Sequence, residues 1–355
     1  MPEHPSVSVL MTVYDGMPYL RQAIESVLSQ TFSDFEFIIV DDASTDDSVA
    51  CIRSYTDPRI RLVRNECNQG QASSLNKGLA LAKGKYIARL DQDDVSLPKR
   101  FEKQVIILNQ REDIAIVGTR MIGMNAQGQR HDLLGKTVKN YGSFVGFLLL
   151  GICPICHPSV MFRRDVVERV GGYHEECAPA EDVDLWARLA FQRHNAYVLN
   201  EPLALYRMHS GQQSVLKNKK QLDSIRRIQE QWITKFCPSA EVRGVTLLLS
   251  MNSDLWKEYP TQSQLRSVFQ AFHEMMTDLE STLELSSEEK VSFRRVLDRW
   301  LGPGVRLGRT IGNWPSFLFY PAVWLLSPLL VPRVRPVLSS IARSIRRVRR
   351  YSFEI

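Results

Sequence analysis

From Val7 to Val117 the chain repeats one pattern: a short, nearly uninterrupted apolar run, a polar turn, then a segment whose apolar residues recur at helical spacing. The strand-length segments are Val7–Val13, Phe35–Val40, Ile60–Val63, Tyr86–Leu90 and Ile114–Val117. Such runs predict strands buried on both faces of a sheet. Tyr19, Leu20, Ile24, Val27 and Leu28, following Pro18, predict the first helix, and Val49 and Ile52, following the capping residues Ser44, Thr45 and Asp46, the second. Two more are expected over residues 71–82 and 98–109. Strands alternating with helices predict an α/β fold, a doubly wound and mostly parallel sheet flanked by helices.

In open sheets of this kind, ligands bind outside the carboxyl ends of the strands. Thr12 and Tyr14, Asp41 and Asp42, and Asp91 and Asp93 all fall at such ends. The fourth run stops abruptly in Asp91-Gln-Asp93-Asp94. Clustered carboxylates repel one another, so a positive partner is expected. A hard divalent cation, Mn2+ or Mg2+, is usually held by one or two carboxylates, waters and substrate phosphates, and Asp91-x-Asp93 therefore points to a nucleotide-diphosphate site. Alone, the same triplet would better suit a solvated acidic turn. The convergence of three strand tips on one crevice favours the ligand site. Arg89, a cation in an apolar strand, requires a partner, either these carboxylates or a donor phosphate. Asp182 opens a helix whose Leu185 and Leu189 share an apolar face. An acid there is, by itself, a favourable partner of the helix dipole.

With 355 residues, 44% hydrophobic and 24% charged, the chain is of globular composition and long enough for a large domain plus an appendage. The opening residues carry no basic stretch followed by an apolar one, which leads to the expectation of a cytosolic location. Six scattered cysteines are then expected as free thiols. Cys153-Pro-Ile-Cys156-His157 has the form of a c-type haem attachment, but that chemistry belongs to exported proteins. A zinc site would need a second pair, for which His174 and Cys177 are the candidates.

Beyond about residue 216 the alternation gives way to helical segments. No charged residue occurs between Arg309 and Arg333, a stretch rich in Trp, Phe and Leu but interrupted by Pro315, Pro321, Pro328 and Pro332. Each interior proline removes a hydrogen bond that hydrocarbon cannot replace, which disfavours a straight transmembrane helix. Seven arginines follow, from Arg333 to Arg350, interleaved with Val337, Leu338, Ile341, Ile345 and Val348. An apolar segment joined to a basic amphipathic helix is expected to lie on an anionic membrane surface. A nucleic-acid partner is not expected, because a phosphate-binding arm has no use for the apolar run. The expected organisation is a catalytic domain at 1–215, a helical extension at 216–305 and a membrane-interface tail at 306–355.

Over residues 6–215 the chain resembles the family 2 glycosyltransferases, inverting enzymes of the GT-A fold. The segments that carry the resemblance include Val7-Ser-Val-Leu-Met-Thr-Val-Tyr14, Ile38-Ile-Val-Asp41-Asp42-Ala-Ser-Thr-Asp46, Asn68-Gln-Gly70, Asp91-Gln-Asp93-Asp94, His157-Pro-Ser-Val-Met, Gly171-Gly-Tyr173, Glu181-Asp182-Val-Asp-Leu-Trp186 and Tyr206-Arg-Met-His209.

The resemblance implies roles for these positions. Thr12, Tyr14 and Asp42 would cradle the base and ribose of a nucleotide-sugar donor, in this family commonly a UDP-sugar. Asp91 and Asp93 would serve the metal, with Asp91 also turned toward the ribose and His209 as a further ligand. Arg207 could neutralise the departing diphosphate, and Asn76 and Arg89 are placed on the donor side. Asp182 would be the catalytic base. Glu181, His157 and Trp186 are acceptor-side candidates, although His157 equally suits a structural turn, Asn76 equally suits a plain polar helix face, and Trp186 better suits core packing. The acceptor is expected to be a saccharide, lipid-linked if the tail binds the membrane, reached by a peripheral enzyme on the inner membrane face. A nucleotidyltransferase and a non-catalytic sugar-nucleotide-binding scaffold are the alternatives.

Overall fold

The computed structural model of the chain describes residues 5–216, 218–235, 242–249 and, with gaps at 269, 273, 276–278 and 281, residues 267–301. The apolar, Arg-rich tail expected at the membrane lies outside the described residues. Among those described, no helix is long and apolar enough to cross a membrane.

Nine strands form one mixed sheet in the order β3-β2-β1-β4-β8-β6-β9-β5, with β7 beside β6. Strands β1 (Val7–Val13), β2 (Phe35–Asp41), β3 (Ile60–Arg64) and β4 (Tyr86–Arg89) are mutually parallel. Strand β8 (Met161–Arg163) runs antiparallel between β4 and β6 (Ile114–Asn125), and β9 (Asn195–Met208) lies parallel to β6. The two-residue β5 (Val95–Ser96) closes the far edge against β9, and β7 (Arg130–Leu134) is an antiparallel hairpin partner of β6.

Every residue of β2 and all but Thr12 of β1 are buried, as runs apolar on both faces require. Val7, Val9, Met11 and Val13 share a core with Leu20, Ala23, Ile24 and Val27 of helix α1 (Leu20–Leu28). Their alternate neighbours Leu10 and Val40 meet helix α3 (Gln71–Leu81), which follows α2 (Ser48–Arg53) and β3. Gly78 makes that approach possible, because a Cβ built there would stand 2.1 Å from Leu10 Cδ1. Helix α4 (Arg100–Gln110) adds Phe101, Val105 and Leu108 to the first face. Each fully buried Leu or Phe contributes roughly 1.5–3 kcal/mol, and the sheet is held from both sides.

Further helices among the described residues include α5 (Tyr141–Leu149), α6 (Arg164–Arg169), α7 (Glu181–Phe191), α8 (Gln213–Leu216), α9 (Asn218–Thr234) and α10 (Val242–Leu249), and one at Ser287–Leu301. The chain divides into two compact units, Met1–Phe144 with Cys153–Ile228, and Val145–Ile152 with the described residues from Gln229 onward. The first carries the sheet. It extends past residue 215 to Ile228 and omits a short internal segment. In the second, Gly146 packs against Val296, and Gln229 Nε2 donates to the Leu149 carbonyl at 2.6 Å.

Candidate active site

Strands β1 and β2 pair so that Val13 faces Asp41, which sets their carboxyl ends side by side. Asp42, the next residue, is 4% exposed. Its Oδ1 accepts from Asn65 Nδ2 at 2.7 Å and from the Gln69 amide at 2.9 Å, and its Oδ2 accepts from the Gly70 amide at 2.8 Å. Gly70 has φ +90°, a left-handed conformation that lets the chain turn into α3. A carboxylate offers about four acceptor positions, so Asp42 keeps about one for a ligand after fixing this loop. Thr12 is half-buried and Tyr14 exposed at the rim. Gln92, the middle residue of the acidic triplet, holds Tyr14 by accepting from its amide at 2.8 Å and donating to its carbonyl at 3.1 Å.

At the end of β4, ligand oxygens of Asp91, Asp93 and Asp94 all lie within 4.8 Å of one another. Arg89 is buried at 2% exposure and forms a double ion pair with Asp91, its NH1 at 2.6 Å. Burial raises the Asp91 carboxyl, Arg89 pulls it back, and the nearby Asp93 charge raises it again, to about 6. Asp94 is fully buried, accepts from the Arg207 amide at 2.8 Å, has one oxygen without a partner, and is held well above the usual carboxylate range by burial and by its acidic neighbours. His209 Nε2 stands 2.9 Å from Asp93 Oδ2. These donors fit Mn2+ or Mg2+: the set is oxygen-rich, a histidine adjoins it, and a cation would relieve the carboxylate repulsion.

Helix α7 presents Asp182 in its first turn. Its Oδ1 accepts from the Val183 amide at 2.8 Å and its Oδ2 from the Cys153 thiol at 3.5 Å. Burial raises its carboxyl, which moves a potential base toward neutrality. The sites are connected: Gln71, two residues after the Asp42-bound Gln69, reaches Asp91 Oδ1 at 3.4 Å, and the Asp182 charge acts on Asp91. Sequence signals missed Gln92 and Cys153. The first was visible as the polar centre of the acidic triplet, and the second was read only through the haem-like motif.

Several of the expected site residues are engaged by other parts of the protein in this structure. Arg207 is 2% exposed and donates to the carbonyls of Asp93, Asn125 and Ala126 and to Gln22, with its guanidinium over the Tyr19 ring. It shapes the acidic loop. Asn76 donates to the Tyr173 carbonyl at 2.7 Å and accepts from its amide at 2.8 Å, so it clamps that backbone. Arg89 takes the strand-tip carboxylate as its partner. The three acceptor-side candidates are all buried: Glu181 at 3%, Trp186 at 0% and His157 at 8% exposure. His157 Nε2 pairs with the Tyr173 hydroxyl at 2.9 Å and its ring meets Trp186 edge-on, so both pack the interior. Burial, helped by Arg89, holds His157 well below the usual imidazole range, hence neutral.

The sheet order and the acidic loop at the end of β4 define a GT-A-fold domain. Residues 8–171 match the model of Glycosyl transferase family 2. A Bacillus subtilis (strain 168) protein named as a glycosyltransferase, EpsE, is 36% identical over 209 residues, 58% of this chain and 73% of that protein. The O-antigen biosynthesis glycosyltransferase WbnJ of Escherichia coli is 35% identical, over 59% of this chain and 83% of that protein. Among solved structures, S. aureus TarS 1-349 in complex with UDP-GlcNAc superposes with TM-score 0.56 at 15% identity, covering 89% of this chain and 92% of that one, a likeness of fold. The chain belongs to glycosyltransferase family 2, and its activity is sugar transfer.

Proposed function

We propose that this protein is an inverting, divalent-metal-dependent glycosyltransferase that moves a sugar from a nucleotide-diphosphate donor, a UDP-sugar, to a saccharide acceptor carried on a lipid. The observation that carries this reading is the set of Asp42, Asp91 and Asp93 at the strand tips with Asp182 in the first turn of α7, in which Arg89 and Gln71 hold Asp91 and the Asp182 charge acts on it. TarS binds UDP-GlcNAc in its crystal structure, and WbnJ is a glycosyltransferase of O-antigen biosynthesis, which supports a UDP donor and a role in polysaccharide assembly. Membrane-surface attachment through the tail at 306–355 is part of the proposal and rests on its composition alone.

Asp91, Asp93 and His209 would hold the metal, which when bound stabilises charge on the departing diphosphate. Asp42 and Thr12 orient the nucleoside, and Tyr14 lies at the mouth of its site. Asp182 Oδ2 takes the proton from the acceptor hydroxyl as that oxygen attacks the anomeric carbon. The new glycosidic bond forms as the bond to the diphosphate breaks, with inversion. This single displacement needs one carboxylate base and no protein nucleophile. The Asp182→Asn variant tests it. Nucleoside diphosphate release in the presence of acceptor should fall by about 100- to 10,000-fold, with donor affinity kept. Unimpaired release would remove Asp182 from the role of base.

A further inference from the structure

A second cluster of metal-ligating side chains shares no residue with the acidic loop. The Cys177 amide donates to the His174 carbonyl at 3.2 Å and closes a short 3₁₀ turn, Glu175–Cys177. In such a turn side chains three apart lie one above the other, so the imidazole and the thiol are brought together. Asp184, in the first turn of α7, meets them. Its Oδ2 lies 3.2 Å from His174 Nδ1, and donor atoms of His174, Cys177 and Asp184 all lie within 4.8 Å of one another. Asp184 is 7% exposed, and its carboxylate is fixed by Arg188 at 2.8 Å, whose guanidinium also donates to the carbonyls of Val170 and Gly172. Outer partners of this kind orient ligating carboxylates in metal sites. Glu176 Oε1 lies 3.9 Å from His174 Nδ1 on an exposed side chain, within reach of a fourth position.

We propose that His174, Cys177 and Asp184 form a zinc site, completed by Glu176 or water, that pins the 174–180 segment to α7. One nitrogen, one thiolate and carboxylate oxygen suit Zn2+, whereas the oxygen-rich, sulfur-free acidic loop suits a harder ion. Binding forms a metal–sulfur bond, and the thiol proton leaves to solvent. The site is structural and independent of the sugar-transfer mechanism. It lies two residues from Asp182, so its occupancy bears on how firmly that turn is held.

Cobalt is the probe, because a thiolate bound to Co2+ gives a sulfur-to-metal charge-transfer band in the near ultraviolet that an oxygen site cannot give. The reduced, metal-stripped full chain should take up one Co2+ with this band, and Zn2+ should abolish it. Asp93→Ala should keep the band and Cys177→Ser should lose it, with circular dichroism confirming that both are folded. If Cys177→Ser does not fold, the wild-type titration decides. No charge-transfer band in the wild type, or a band that persists in Cys177→Ser, overturns the proposal.

Discussion

Glu181 offers a prediction whose magnitude follows from its surroundings. Its side chain is 3% exposed, its Oε2 is buried without a partner, and burial together with the adjacent Asp182 charge pushes its carboxyl from 4.5 up to about 7. Between those values the folded protein binds a proton that the unfolded chain releases, so stability falls as pH rises across that range. Above it, the charged form is fully penalised. A rise of about 2.5 units at 1.36 kcal/mol per unit sets a ceiling of roughly 3 kcal/mol. Glu181→Gln keeps the shape and removes the titration. Urea unfolding of wild type and variant, without donor or metal, should give a stability difference that grows in favour of the variant by about 2–3 kcal/mol between about pH 5 and pH 8. A difference that stays constant with pH would show that Glu181 is solvated in solution and refute the burial argument.

Two further predictions concern packing and the donor side. Gly78→Ala should destabilise the protein by about 1–3 kcal/mol through overpacking against Leu10, and combination with Leu10→Ala should recover part of that loss in a thermal-unfolding double-mutant cycle; additive losses would contradict the contact. Asn76→Ala should lower stability by about 1–3 kcal/mol by releasing the Tyr173 backbone while leaving the affinity for nucleotide sugar unchanged by titration calorimetry; a large loss of affinity would restore Asn76 to the donor site.

The parallel half of the sheet could be read from the chain because β1, β2 and β4 are buried on both faces, and a doubly buried strand is mostly apolar, with polar exceptions such as Arg89 and Glu36 held by partners. The other half could not. The apolar run of β6 ends at Val117, yet the strand continues to Asn125, through Gly118, Thr119, Arg120 and Gly123, because β9 pairs with it along that length. The antiparallel β8, three residues long, and the 14-residue β9, with exposed residues at its centre, carry no periodic signal strong enough to place them. At the site, sequence identified which residues carry charge but not which way they point. Arg207 and Asn76 have the right chemistry for a donor, but backbone carbonyls and amides from distant segments claim them first. Asp42 and Asp91 lie at the ends of strands whose register is fixed by burial, and they fall where the pattern predicted.

The most direct test of metal-dependent sugar transfer at this site is the thermal shift of the purified protein with a panel of nucleotide-diphosphate sugars, each with and without Mn2+, beside the Asp93→Ala variant. A ligand that binds only the folded state raises the melting temperature by mass action. The expected result is a Mn2+-dependent rise with UDP-sugars that is lost in Asp93→Ala. No rise with any donor, or an equal rise without metal and in the variant, would contradict it.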